Sequence, residues 1–138
     1  MSKITNDPKL HHEWEIVGNV MVTRTSGEIP NALWQPFIAE LVSAEAAKIF
    51  SLVVGPANIN AAQRRNGAET FKSRGIQATV IVDNTMTRGV LTALSWLGVG
   101  IKGFAWSELD NAFRHLAPAK HDEDVLRAIA ARCRKEIV

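Results

Sequence analysis

Two short segments gather the side chains best able to do chemistry. Asn58, Asn60, Gln63 and Arg64 follow the apolar run from Lys48 to Val54, and Asp83, Asn84, Thr85, Thr87 and Arg88 follow the run from Ala78 to Val82. Each segment lies where a strand gives way to a helix. In open α/β sheets ligands bind beyond the carboxyl ends of the strands, and the free N–H groups of a helix start favour anions. Were the two strands neighbours, the two loops would form one polar pocket for a ligand or a protein partner. The same residue types also cap helices, for about 1 kcal/mol each. Capping is therefore the competing reading of Asn58, Asp83, Asn84 and Thr85.

Enzyme chemistry finds little support. Phosphatases of the haloacid-dehalogenase type place a second acid two residues after a strand-end aspartate, and Thr85 occupies that place after Asp83. The chain has no P-loop and no GxSxG elbow. No serine or threonine stands in a recognisable arrangement with a histidine and an acid. The reading is a non-enzyme without a cofactor. His11, His12, His115 and His121 read as solvated side chains, too few to converge on a metal. Cys133 reads as a small core hydrophobe. Arg64, Arg65, Lys72 and Arg74 make one basic patch, and Arg127, Arg132, Arg134 and Lys135 another. Neither is interleaved with aromatic residues, so both read as solvated faces and no nucleic-acid partner is expected.

The totals agree with that reading. The chain has 138 residues, 46% of them hydrophobic and 22% charged, with a net charge of +2. That suits a single globular domain with its own core, and the basic excess is too small to imply nucleic acid. One cysteine cannot form an internal disulfide. The most apolar stretch, Gly89 to Trp106, is broken by Gly98, Gly100 and Gly103 and carries Lys102, so no membrane insertion is expected. MSKITNDPKLHH has no apolar leader pattern. A cytoplasmic location is the expectation, with residues 1–12 as a flexible arm.

The elements that must position the two loops follow from periodicity. Glu13 to Thr25 reads as a β-hairpin turning at Gly18-Asn19, with Ser26-Gly27 breaking its second strand. Leu33, Trp34, Phe37, Ile38, Leu41 and Val42 have helical spacing, and Pro36 argues for a start later than Pro30. Lys48 to Val54 is a buried strand stopped by Gly55-Pro56. A helix over Ala61 to Arg74, capped by Asn58 or Asn60 and stopped at Gly75, has only a thin apolar stripe of Ala61, Ala62, Ala68 and Phe71. A strand over Ala78 to Val82, a helix over Thr85 to Leu97 and a strand over Ile101 to Ala105 come next. Ser107 opens a further helix with an inner stripe of Leu109, Ala112, Phe113 and Leu116, which Pro118 ends. Asp122 caps a last one, with Val125, Leu126, Ile129, Cys133 and Ile137 inward. The order ββαβαβαβαα predicts an α/β domain over 13–138. It has a mixed sheet of four to five strands, a parallel centre and helices packed on the sheet, and 118–138 form an appended helix.

In that order the chain resembles the STAS domain, the fold of bacterial anti-sigma factor antagonists. GNVMVTRTSGEI (Gly18 to Ile29) resembles the hairpin end and opening turn of that family. FKSRGIQATVIVDNTMTRGVLTALSWLG (Phe71 to Gly98) resembles its helix, glycine turn, strand, loop and helix. IKGFAWSELDNAFRHL (Ile101 to Leu116) resembles its closing strand and helix. The resemblance implies a small regulatory module that binds a protein partner. In the antagonist branch a serine or threonine opening the second helix is phosphorylated. That place here is Asn58-Ile59-Asn60, without a hydroxyl, so a serine phosphoswitch is not implied.

The helix after Asp83 carries a second signal. Val90, Leu91, Leu94 and Leu97 form one stripe, sufficient to cover a sheet, while Met86, Ala93 and Trp96 form another. Trp34 and Trp106 could extend that second surface. It must be covered by a neighbouring helix, by the C-terminal helix, or by another chain, either a protein partner or a second copy in a homodimer. The leading expectation is non-enzymatic regulation through protein contact. The alternative is a small-molecule or lipid-binding module using the strand-end pocket. A closed cavity lined by Trp and Leu would favour the alternative, and a flat apolar face would favour protein contact.

Overall fold

The computed structural model describes residues 3–7, 9–44 and 46–137. Met1, Ser2 and Pro8 of the expected arm, Glu45 and Val138 lie outside the described residues. The fold is α/β, with one five-stranded mixed sheet whose strands lie side by side in chain order. The strands are β1 (His12–Val17), β2 (Val20–Glu28), β3 (Lys48–Asn58), β4 (Gln77–Ile81) and β5 (Ile101–Phe104). β1 pairs antiparallel with β2, and every other pair is parallel. The helices are α1 (Asn31–Ser43), α2 (Ala61–Arg74), α3 (Thr85–Trp96), α4 (Leu109–Leu116) and α5 (Lys120–Arg134).

The sheet advances in one direction, and parallel crossovers share one hand. The crossover helices α1, α2 and α3 therefore lie on one face, and α4 and α5 cover the other. Alternation along the strands feeds two cores. Val20, Val22, Phe50, Leu52, Ile81 and Phe104 pack with α4 and α5. Met21, Ile49 and Ala78 pack with Trp34, Phe37 and Leu41 of α1, and Val80 and Val82 meet Leu91 of α3.

Gly18, at φ 61°, makes the hairpin turn that the sequence required. Several boundaries differ from the expectation. Ser26-Gly27 does not end β2: the pairing with β3 shifts register between Thr25 and Gly27, with Gly27 at φ 65°, and continues to Glu28. Gly55-Pro56 likewise lies inside β3, opposite that irregularity. β4 pairs with β3 only as far as Leu52, so Pro56 has no ladder bond to donate to β4. α1 begins directly after Pro30 and keeps Pro36 in its interior. Pro36 and Ala32, whose carbonyl loses its partner, are both exposed, so water can satisfy that group. Ser107 makes no cap; a short 3-10 turn from Trp106 to Glu108 precedes α4, and Glu108 accepts from the Ala105 N–H at 2.9 Å. Asp122 sits in the first turn of α5 rather than at its cap. The inner stripe of α5 is Leu126, Ile129, Ala130 and Cys133, while Val125 and Ile137 are exposed.

The N-terminal segment, expected as a loose arm, is tied down where it is described. Ile4 is buried in the core under α5, and the Thr5 and Asn6 backbone N–H groups donate to Glu13 at 3.2 and 3.1 Å. Asn6 Nδ2 also reaches Glu136 at 2.7 Å. Among the described residues no helix is long and apolar enough to cross a membrane.

Candidate functional site

The site follows from what α2 fails to supply. A helix crossing a sheet normally buries large apolar side chains. α2 buries Gln63, Gly67 and Thr70, with Ala68 and Phe71 only half-buried, and Ala61 and Ala62 of the expected stripe are exposed. Gly67 lets the helix lean on the Trp34 ring, where an added Cβ would sit 3.4 Å from the indole. Trp34 Nε1 donates to Asn66 at 2.9 Å and fixes the contact. α3 covers little more of the sheet. Of its expected stripe Leu91 alone is buried, Leu94 is half-buried, and Val90 and Leu97 are exposed. Leu91 and Arg88 pack closely over β5 because Gly103 there has no side chain; a Cβ would meet Leu91 Cδ1 at 2.9 Å.

Between these two thin helices and the sheet lies a cavity of about 330 Å³. Its floor includes His12, Thr23, Thr25, Ile49, Ser51, Ala78 and Val80. Trp34 and Phe37 close one side, Phe71 and Leu91 form part of the roof, and Asn58, Arg64 and Val90 form its exposed rim. The volume is at the small end of the range for ligand pockets. Sealed and unfilled, such a space would cost about 8 kcal/mol at ~24 cal/mol per Å³, as much as a typical domain's whole stability. The exposed rim leaves it open to solvent.

The polar loop residues divide in two. Asn58, Gln63, Arg64 and Thr87 line the cavity. Asn60, Asp83, Thr85 and Arg88 serve the backbone and each other. Asn60 Oδ1 accepts from Gln63 N–H at 2.8 Å and Gln63 Oε1 from Asn60 N–H at 3.2 Å, a reciprocal cap. Asn84, rather than Asp83, caps α3 through the Thr87 N–H at 3.0 Å. Asp83 accepts from the Trp106 N–H at 3.0 Å. Arg88 donates to the carbonyls of Val82 and Asp83, at 2.8 and 3.0 Å, with the Thr85 hydroxyl 3.5 Å from its Nη2. β3 and β4 are neighbours, so the two loops do lie side by side.

Sequence reasoning missed His12. The sequence pattern places it in the arm as a solvated side chain, yet it begins β1 opposite Thr25 and is 4% exposed. Its ring packs edge-on to Phe37 at 4.6 Å and lies near Trp14 and Trp34. Nδ1 shares a hydrogen bond with Thr25 Oγ1 at 3.0 Å, while Nε2 has no hydrogen-bond partner among the described residues. Burial lowers its pKa to about 4, so the imidazole is neutral near pH 7. A useful signal was the Trp at position 14, two residues along the same strand face.

His115 is not solvated either: it meets Thr79 Oγ1 at 2.8 Å and Gln77 Nε2 at 3.2 Å, and burial lowers its pKa. Two threonine–histidine pairs therefore exist, over sequence separations that no local motif reveals. Neither places a carboxylate on the second imidazole nitrogen, as an activated nucleophile would need. His11 bonds the Ser26 carbonyl at 3.0 Å, and His121 is exposed. Among the described residues no group of three or more His, Cys, Asp or Glu converges as a metal set.

On the other face, Arg24 is 1% exposed, and its guanidinium makes two hydrogen bonds to the Glu136 carboxylate and one to the Leu10 carbonyl. The bond to Glu136 raises the Arg24 pKa and lowers that of Glu136. Burial pushes the nearby Cys133 thiol up to about 11, which keeps it protonated and unreactive.

The second apolar row of α3 is uncovered among the described residues: Met86 is 83% and Trp96 81% exposed, and Ala93 is exposed beside them. α5 packs on the opposite face of the sheet and cannot reach it. Trp34 and Trp106 do not extend that surface. They are 5% and 3% exposed, and they belong to different cores.

Searched against protein-family models and curated proteins, the chain matches none.

Proposed function

We propose that this protein is a non-enzymatic binding module whose ligand is a small, mainly apolar molecule held between the sheet and α2 and α3. The cavity carries the reading: about 330 Å³, walled by Trp34, Phe37, Phe71 and Leu91, with a polar rim at the strand-end loops. An apolar recess with a few convergent polar groups is the usual form of a small-molecule site. The reading keeps the STAS resemblance as a proposal and gives it a ligand-sensing role, in a cytoplasmic setting.

The test uses N-phenylnaphthylamine, a neutral dye that brightens in apolar sites. Its fluorescence should rise on adding the protein and should rise less with Ala68→Leu, which narrows the space. No rise, or an equal rise with the variant, would contradict the proposal.

A second reading has its own observation. The exposed Met86–Trp96 face of α3 is of the residue types found at interface cores. It suits a regulatory protein partner or a second copy of this chain, and it can coexist with a ligand beneath the same helix.

A further inference from the structure

The floor of the cavity is not uniformly apolar. Register places Thr23 opposite Ser51 on β3 and Thr25 opposite His12 on β1, and all four side chains line the cavity. They form a polar row across three strands, under walls of aromatic and aliphatic residues. Thr23 and Thr25 are 2% and 4% exposed.

The hydrogen bonds within this row leave donors unmatched. Thr23 and Ser51 share one hydrogen bond at 3.0 Å. Two hydroxyls bring two protons, so one proton of the pair needs another acceptor. His12 and Thr25 also share one bond. If Nδ1–H donates, the Thr25 proton is left over and Nε2 is an unmatched acceptor. If Thr25 donates, Nε2–H is left over. Either tautomer leaves a surplus donor and an Nε2 without a partner among the described residues. In the open cavity water can accept these protons, and a ligand that displaces the water without offering an acceptor leaves buried donors unpaired, which is costly.

Charge then limits what can be the acceptor. Arg64 is the only Lys, Arg, Asp or Glu among the described lining residues, and it stands at the exposed rim with Nη1 on the Ile59 carbonyl. The floor offers no cation to balance an ion, and a buried unpaired carboxylate is far costlier than a neutral oxygen. From this, and resting on the binding reading above, we infer that the ligand is an uncharged amphiphile whose hydroxyl or carbonyl oxygen is hydrogen-bonded by the floor of Thr23, Ser51, Thr25 and His12.

Three compounds of one shape test this: butylbenzene, phenylbutanol and phenylbutyrate, each displacing N-phenylnaphthylamine at mildly alkaline pH. Phenylbutanol should compete about tenfold more strongly than phenylbutyrate. Thr23→Val with Ser51→Ala should weaken phenylbutanol about tenfold, the scale of one lost hydrogen bond, and leave butylbenzene unchanged. The single change Ser51→Ala, smaller in volume, should weaken phenylbutanol in the same direction if the double variant folds poorly. Phenylbutyrate binding as tightly as phenylbutanol, and losing affinity with Arg64→Ala, would overturn the inference in favour of a charged head at the rim. Equal binding of all three, unaffected by the floor variants, would leave the cavity a ligand site and refute its polar specificity. Failure of the dye itself to bind would remove both.

Discussion

Ala68→Leu should make this protein more stable, against the general trend that core substitutions destabilise. Ala68 is half-buried on α2 and lines the cavity. Leucine adds three carbons, whose burial contributes about 0.8 kcal/mol per methylene, or about 2 kcal/mol in all. Leucine is nearly as good a helix former as alanine, so the backbone cost is a few tenths of a kcal/mol. The cavity of about 330 Å³ is larger than the volume of the three added carbons. Urea unfolding should show a higher midpoint with an unchanged slope, and an expected gain of about 1–2 kcal/mol. The same variant should bind the dye more weakly. Destabilisation by about 1–3 kcal/mol, the usual result of overpacking, would mean that the space is not there and would refute the reasoning.

Protonation of His12 should also be measurable. Its folded pKa, about 4, lies below the ordinary 6.5. Below 6.5 the unfolded chain therefore binds a proton that the folded one refuses. Stability from this group is complete above that value and falls with pH down to about 4, by roughly 3 kcal/mol in total. His12→Phe should flatten that part of the stability–pH profile, and an unchanged profile would contradict the buried neutral imidazole. Asn60→Ala should cost about 1 kcal/mol of stability through the lost cap and leave dye affinity as it is. Lost affinity at unchanged stability would make Asn60 a ligand contact instead. Trp96→Ala, at an exposed position, should change stability by less than about 0.5 kcal/mol. If a second copy covers α3, sedimentation of the wild-type chain should show a dimer that the variant loses, and a monomer in both would exclude self-association there.

The order of strands and helices was legible because the buried strands read as apolar runs and the helices between them as 3.6-residue stripes. Boundaries were not, where tertiary context overrode a local breaker. Gly27 and Pro56 lie where β2 and β3 go out of register, and Pro36 sits on an exposed helix side, so none of them ends its element. Of the nine polar residues named in the two candidate loops, four line the cavity. The cavity's body was visible only as a weakness. The thin stripe of α2 made it a poor helix for covering a sheet, and Gly67 and Ala68 are the residues that leave the space. The polar floor was out of reach, because it forms from β1, β2 and β3 only after strand register is known. The pairing of buried Arg24 with half-buried Glu136, more than a hundred residues apart, depends on how α5 docks.

The most direct test of the binding account is an amide chemical-shift titration of the intact chain with phenylbutanol. The account predicts saturable changes centred on Thr23, Ser51, Phe71 and Leu91 around the cavity. No change at saturating compound, or changes confined to Met86, Trp96 and Leu97 on the outer face of α3, would contradict it.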